Sequence, residues 1–250
     1  MSDDSGMETT ARMAVYSVLN TVEDYLLDGY RSGTPLPEFD IQEASDITAD
    51  DPATMAAIRA RQPANDSLEA IAAEATRCQR CRLSAGRNRV VPGQGSDRPL
   101  VMVIGEGPGS EEDKTGLPFV GPAGQLLNKM LAAIGLSRET NCFIGNIVKC
   151  RPPMNRDPAP DEQAACMPFL DRQIAILRPR AFLAVGRIPA QALLGVKEGI
   201  GRLRGKVYEF HGLPLVATYH PSALLRDESL KRPAWEDLKL LKSIIDDRNR

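Results

Sequence analysis

The sequence predicts an α/β fold, a parallel sheet covered by helices on both faces, and three observations carry the prediction. Four short apolar runs at 100–104, 142–148, 181–185 and 213–218 have the length of buried strands, and most have the β-branched content as well. Helix-patterned segments at 121–135, 160–177 and 187–194 lie between them, and a last one lies near 234–246. The residues least typical of a core follow the runs: Gly105-Glu106-Gly107-Pro108-Gly109, then Asn146 with Lys149-Cys150-Arg151-Pro152-Pro153, then Gly186-Arg187, then His220-Pro221-Ser222. Strands alternating with helical crossovers build parallel sheets. Such sheets bind ligands outside the carboxyl ends of their strands, so one shared pocket is expected there.

In chain order, residues 9–27 come first. They repeat Met13, Val15, Tyr16, Leu19, Val22, Tyr25 and Leu26 at three- and four-residue steps, the pattern of an amphipathic helix. Residues 31–66 are rich in Pro, Asp and Ala and poor in large apolar groups, which predicts a linker. The chain thus divides into an arm, 1–66, and a domain, 67–250. Charge divides at the same place. The arm holds 13 acidic and 4 basic side chains, a net of −9, while the domain holds 27 basic and 20 acidic, a net of +7. A basic domain suits a polyanionic ligand better than the whole-chain net charge of −2 indicates. Near the end, Gly212 separates Val207-Tyr208-Glu209-Phe210 from the fourth run and predicts a hairpin, with His211 as an exposed turn residue. No run approaches the roughly 18 apolar residues that span a bilayer, and no signal sequence is evident, so a cytoplasmic, membrane-free monomer is expected.

Five cysteines are an odd number, which argues against a disulfide framework. Cys78 and Cys81 form a C-x2-C pair able to grip one metal centre from a short turn, and Cys150 and Cys166 supply two more sulfurs from a separate segment. Four thiolates in this arrangement suit a tetrathiolate zinc site or a 4Fe-4S cluster, and spacing does not choose between them. Arg77, Arg80 and Arg82 make the first turn a poor core segment and suit a nearby phosphate backbone. Cys142, early in a strand and without a partner at ligand spacing, reads as core.

The order C-x2-C, then GEGPGSEEDKTGLPFVGPAGQLL (105–127), then GNIVKCRPPMNRDPAPDEQAAC (145–166), then HPSALLR (220–226), closely resembles the family 4 uracil-DNA glycosylases across about residues 70–245. The resemblance implies a three-layer α/β/α sandwich around a four-stranded parallel sheet. It also implies a structural 4Fe-4S cluster on Cys78, Cys81, Cys150 and Cys166, and removal of uracil from single- or double-stranded DNA to leave an abasic site.

Uracil removal assigns work to particular residues. A base must be flipped into a pocket that stacks on its face and reads its Watson–Crick edge. Gly105, Gly107, Phe119 and Asn146 form the expected substrate-binding set, with Phe119 as stacking platform. The Asn146 amide can donate to uracil O4 and accept from N3–H, whereas cytosine presents the opposite pattern at both atoms. An unpaired buried amide costs on the order of 1–3 kcal/mol per group, enough to reject cytosine. His220 resembles the histidine that donates to the charge developing on uracil O2.

Family 1 enzymes carry an Asp that positions water and a Tyr that blocks thymine, and here Gly107 and Gly109 stand at those positions. Glu106 and Asn155 are therefore the expected catalytic partners for water, neither indispensable. Leu224 is expected as the apolar wedge that fills the vacated stack. Lys149, Arg151, Ser222 and Arg226 are expected phosphate contacts, which position DNA without reading it.

Three other readings fit less well. One is a catalytically altered superfamily member that acts on mismatched or damaged bases or bonds covalently to the sugar; the covalent type carries a nucleophilic His soon after the first motif, and no His lies between Glu106 and His211. A non-catalytic cluster sensor would not need Glu106, Asn146 and His220. A nucleotide phosphate loop needs G-x-G-x-x-G or a Walker Lys, and GEGPG has neither.

Overall fold

The computed structural model describes residues 66–248 of the 250-residue chain. The helix expected over 9–27 and all of the expected linker except Asp66 lie outside the described residues. Asp66, counted above as the last residue of the arm, is bound by Arg172, whose Nε and Nη2 donate to its two carboxylate oxygens at 2.8 and 2.7 Å.

Helix α1 (Leu68–Arg77) starts where the Ser67 hydroxyl accepts from the Ala70 N–H, an N-cap that leaves one fewer backbone donor unpaired. Then follow β1 (Gln94–Gly95), β2 (Val101–Gly105), α2 (Ser110–Thr115), α3 (Pro122–Ala132), β3 (Cys142–Asn146) and α4 (Pro160–Leu177). The second half runs β4 (Ala181–Val185), α5 (Arg187–Leu194), α6 (Ile200–Leu203), β5 (Val207–Phe210), β6 (Leu213–Thr218), α7 (Pro221–Arg226) and α8 (Lys231–Arg248).

The strands form one sheet in the order β1-β3-β2-β4-β6-β5. Its four central strands are the four predicted runs, all parallel, and β1 and β5 add antiparallel edges. The predicted hairpin is β5–β6, turned by His211 and Gly212 at φ 50° and 72°. Two successive positive φ values match the twist of the flanking strands. The run predicted over 142–148 leaves the sheet at Asn146. Ile147 and Val148 N–H groups then donate to the Gly105 and Glu106 carbonyls, which carries the chain across the end of β2.

Alternation along each strand separates two cores. Met102, Ile104, Phe143, Phe182 and Leu215 face α1, α4 and α5, packing on Ile71, Phe169, Leu170 and Leu193. Val101, Val103, Ile144, Leu183 and Val216 face α3 and α8, packing on Leu127, Leu131, Leu238 and Leu241. The result is the expected three-layer sandwich. Cys142 lies in the second core, and burial pushes its thiol up to about 12, which suits a packing role. Among the described residues no helix is long and apolar enough to cross a membrane.

The chain passes from β2 outward to β3, then crosses back over β2 to β4. Next to that reversal the carboxyl ends of β2 and β3 lie side by side, with Gly105 paired to Asn146. Open α/β sheets hold their ligands at such a place.

Candidate active site

Gly105 and Asn146 both continue the side of the sheet that packs on α3. A Cβ added at Gly105 would stand 2.5 Å from Asn146 Oδ1 and 2.6 Å from Phe119 Cζ, so glycine is needed for these two side chains to meet. Asn146 is buried, and its Oδ1 has no hydrogen-bond partner. A buried acceptor left unpaired costs about 1–3 kcal/mol, which a ligand N–H aimed at it would recover. The Phe119 ring completes the wall, its centroid 5.7 Å from that of His220.

Phe119 holds a left-handed backbone at φ 52°, an outlier for a bulky side chain that costs on the order of 1–3 kcal/mol. Its surroundings enforce it. Arg138 donates from Nη1 to the Pro118 carbonyl and from Nη2 to the Phe119 carbonyl, each at 2.9 Å. Glu112 Oε1 accepts from the Val120 and Gly121 N–H groups at 2.9 and 3.1 Å. Gly124 allows α3 to start directly against the Phe119 carbonyl, where any Cβ would collide. Sequence reasoning found Phe119 but not Arg138 or Glu112, because nothing local marks a side chain that bonds a distant loop.

His220 follows β6 and caps α7. Its Nδ1 accepts from the Ser222 N–H at 3.1 Å and lies 2.8 Å from the Ser222 hydroxyl. Burial, with Arg226 nearby, pushes the imidazole down to about 4, so it is neutral at pH 7. A neutral ring that accepts at Nδ1 carries its proton on Nε2, ready to donate. Gly186 makes room for the ring, since a Cβ there would stand 3.2 Å from His220 Cβ.

Glu106 leaves β2 half-buried. Burial, and then the nearby Asp157 carboxylate, raise it to about 7, against a smaller opposing pull from Arg187. Arg187 is ion-paired with Asp157, an arrangement that spacing alone did not single out. Asn155 lies on the exposed loop that carries Asp157, with φ 52°, and its Oδ1 accepts from Arg151 Nε at 2.8 Å. Glu162 anchors this loop. Its buried carboxylate accepts from Arg82, from Arg156 and from the Ala159 N–H, and Arg156 foremost holds it down at about 2.

On the other side of the sheet, Cys78, Cys81, Cys150 and Cys166 line one cavity with Arg87, Lys149 and Phe169. Donors already point at the sulfurs: Arg87 Nη1 to Cys150 at 3.4 Å, the Lys149 N–H to Cys166 at 3.3 Å and the Arg80 N–H to Cys78 at 3.5 Å. Among the described residues no three metal-binding groups close on a single point; the four cysteines are shared lining of this one cavity.

The model of the uracil DNA glycosylase superfamily matches residues 92–239. The chain is 43% identical over 189 residues to the type-4 uracil-DNA glycosylase of Saccharolobus solfataricus, covering 72% of this chain and 87% of the relative. It is 42% identical to that of Sulfurisphaera tokodaii (72% and 85%) and 43% identical to that of Thermotoga maritima (71% and 94%). The chain belongs to the type-4 uracil-DNA glycosylases.

Several expected residues of this glycosylase stand elsewhere than the motifs imply. Lys149, expected at phosphate, is 1% exposed, and its ammonium donates to the Asn146 carbonyl at 2.8 Å, so it does not reach a DNA backbone. Leu224, expected as the wedge, is 2% exposed in the core below α7, while Leu225 is 50% exposed. Gly107 faces Val148 and Pro152 rather than the Asn146 side chain: a Cβ there would come within 2.8 Å of Val148. Its bareness lets the loops after β2 and β3 pack together. Ser222 turns toward His220 and orients it, whereas Arg226 is exposed and Arg151 half-exposed.

Proposed function

We propose that this uracil-DNA glycosylase reads and releases uracil with Asn146, Phe119 and His220, assisted by Glu106. The enzyme hydrolyses the bond between uracil and deoxyribose in DNA, as its family does. The observation that carries the assignment is the buried, unpartnered Oδ1 of Asn146, which converges with Phe119 on the space kept open by Gly105. Uracil N3–H satisfies that oxygen. Cytosine would set a lone pair against it at N3 and an amino group against the Asn146 amide at C4. Phe119 stacks on the flipped ring. As the C1′–N1 bond breaks, its electron pair passes to uracil, and the His220 Nε2–H donates to O2 as charge gathers there. Water adds to C1′, and Glu106, raised to about 7 and so still partly ionised at pH 7, is suited in its carboxylate form to accept the proton and to face the cationic sugar. Asn155 supports Arg151 in this assignment, and Leu225 takes the place of Leu224 as wedge.

The cysteine cavity fits a 4Fe-4S cluster held by Cys78, Cys81, Cys150 and Cys166. Four cysteines lining one cavity, with three N–H groups directed at their sulfurs, match the needs of an anionic thiolate cluster. When bound, the cluster would act as a cross-link joining the turn after α1, the segment after β3 and α4.

The assay is an end-labelled oligonucleotide with one uracil, incubated with the enzyme and then treated with alkali. Strand breakage at uracil, and none at cytosine or thymine, is expected, and intact uracil DNA would overturn the assignment. The cluster predicts a brown protein with broad visible absorbance. A colourless, fully active protein with one zinc per chain would refute it.

A further inference from the structure

The base pocket and the cysteine cavity lie on opposite faces of the sheet, yet one residue bonds both a cysteine of the cavity and the backbone of Asn146. Lys149 lines the cysteine cavity, and its N–H donates to Cys166 Sγ. Its carbonyl accepts from the Val91 N–H at 2.9 Å. The side chain then runs beneath Gly145, where an added Cβ would stand 3.9 Å from Nζ, and the ammonium donates to the Asn146 carbonyl. Lys149 is among the largest fully buried side chains of the described residues, and a lysine in such a place needs a reason beyond packing.

The contact falls at a sensitive point. Asn146 is the last residue of β3, and its peptide carbonyl lies where the chain turns out of the sheet. The Ile147 N–H bond to the Gly105 carbonyl holds the same peptide from the other side, so together the two contacts restrict ψ of Asn146 and steady the strand end from which its side chain, with the unpartnered Oδ1, departs. An edge reader displaced by about 1 Å loses much of its discrimination.

We propose that Lys149 is a positioning residue for uracil recognition: seated in the wall of the cysteine centre, it holds the Asn146 carbonyl so that the amide is aimed before the base arrives. This rests on the assignment of Asn146 as the edge reader. It also gives the cysteine centre a consequence for specificity, because whatever orders that cavity orders the backbone of Lys149.

The test measures binding rather than turnover. Oligonucleotides carrying 2′-fluoro-2′-deoxyuridine, which resists cleavage, or a stable abasic analogue are titrated against the full-length protein and its variants, with metal content and melting temperature measured on each. Lys149→Met should keep the metal content and the affinity for the abasic oligonucleotide, while affinity for the uracil analogue falls about tenfold, as for one lost hydrogen bond of this kind. Lys149→Gln, whose amide can donate to the same carbonyl without a charge, should recover part of the loss. In an Asn146→Ala background, Lys149→Met should cost nothing further, because the group it positions is gone.

Uracil affinity unchanged in Lys149→Met would overturn the proposal, as would losses that add fully to those of Asn146→Ala. Equal loss for both oligonucleotides together with metal would also overturn it, since Lys149 would then serve only the cysteine centre. If Lys149→Met does not fold, Lys149→Gln decides by the same comparison. Should Asn146→Ala alone keep the preference for the uracil analogue, the edge-reader assignment fails first, a result distinct from failure at Lys149.

Discussion

Replacing His220 by Ala tests the mechanism most directly. With the imidazole pushed down to about 4 by burial, the ring is neutral at pH 7. The Ser222 N–H occupies Nδ1, so the neutral ring presents a single donor, Nε2–H. Removing one preorganised donor from a developing oxyanion costs about 2.7–4 kcal/mol, so His220→Ala should slow excision by about 10²–10³ while binding of uracil DNA changes little. Ser222→Ala keeps the backbone donor and should lose far less. Single-turnover rates across pH separate the contributions. His220 should give no inflection between about pH 5 and 9, whereas Glu106, raised to about 7, should give one near neutrality that Glu106→Gln abolishes. The loss in His220→Ala should shrink for 5-fluorouracil, a better leaving group. An inflection near pH 7 that disappears in His220→Ala and persists in Glu106→Gln would refute the reasoning, as would a protein–DNA adduct that survives denaturation.

Asn146→Asp should weaken uracil excision and admit some attack on cytosine, because a carboxylate can accept from the exocyclic amine that an amide donor repels; Phe119→Ala should lower both rates without changing their ratio, and competition between the two substrates reads that ratio. Glu162→Gln should destabilise the fold at pH 7 by about 1–3 kcal/mol, measured by denaturant, since a buried hub loses charge-assisted bonds to two arginines. The Glu162 carboxyl is depressed to about 2 from an ordinary 4.5, so its contribution is fully present above pH 4.5 and lost as pH falls toward 2. Wild type and variant should therefore converge in acid, and a gap independent of pH would contradict the ion-pair account. Deleting residues 1–65 should leave excision intact and tighten nonspecific DNA binding at low salt, because net negative charge is removed from a basic domain. Deleting 1–67 should in addition lower the melting temperature through loss of the Asp66–Arg172 pair and the Ser67 cap. A truncation at 65 that folds but cannot excise uracil would make the arm part of the machinery.

The strained backbone of Phe119 bears on the stacking role. A left-handed aromatic survives only where its surroundings over-determine it, and here two carbonyls bound by Arg138 and two N–H groups bound by Glu112 do so. The loop that carries Phe119 is therefore ordered by the fold itself, and in the stacking role proposed for it no binding energy would be spent on ordering it.

The sequence by itself determined the layers and directed attention to the strand ends where the candidate site is proposed. Apolar runs of strand length separated by helical periods dictate a parallel sheet, and the residues that do not suit a core fall where such sheets leave a crevice. That the four cysteines belong together was legible because a C-x2-C turn rich in arginine makes a poor core, and they line one cavity. Edge strand β1, of two residues, was not legible, because it exists only as a partner to β3. Nor were the directions of side chains beyond the strand ends. Leu224 and Leu225 are both leucines of one short helix, and a step of one residue turns a side chain by about 100°, so packing alone chose which faces the core. Lys149 reads in sequence as one more cation in a basic stretch. Only the turn that follows Asn146, fixed by the Ile147 and Val148 bonds to the end of β2, sends it inward beneath the base pocket, where its charge meets a carbonyl instead of a phosphate.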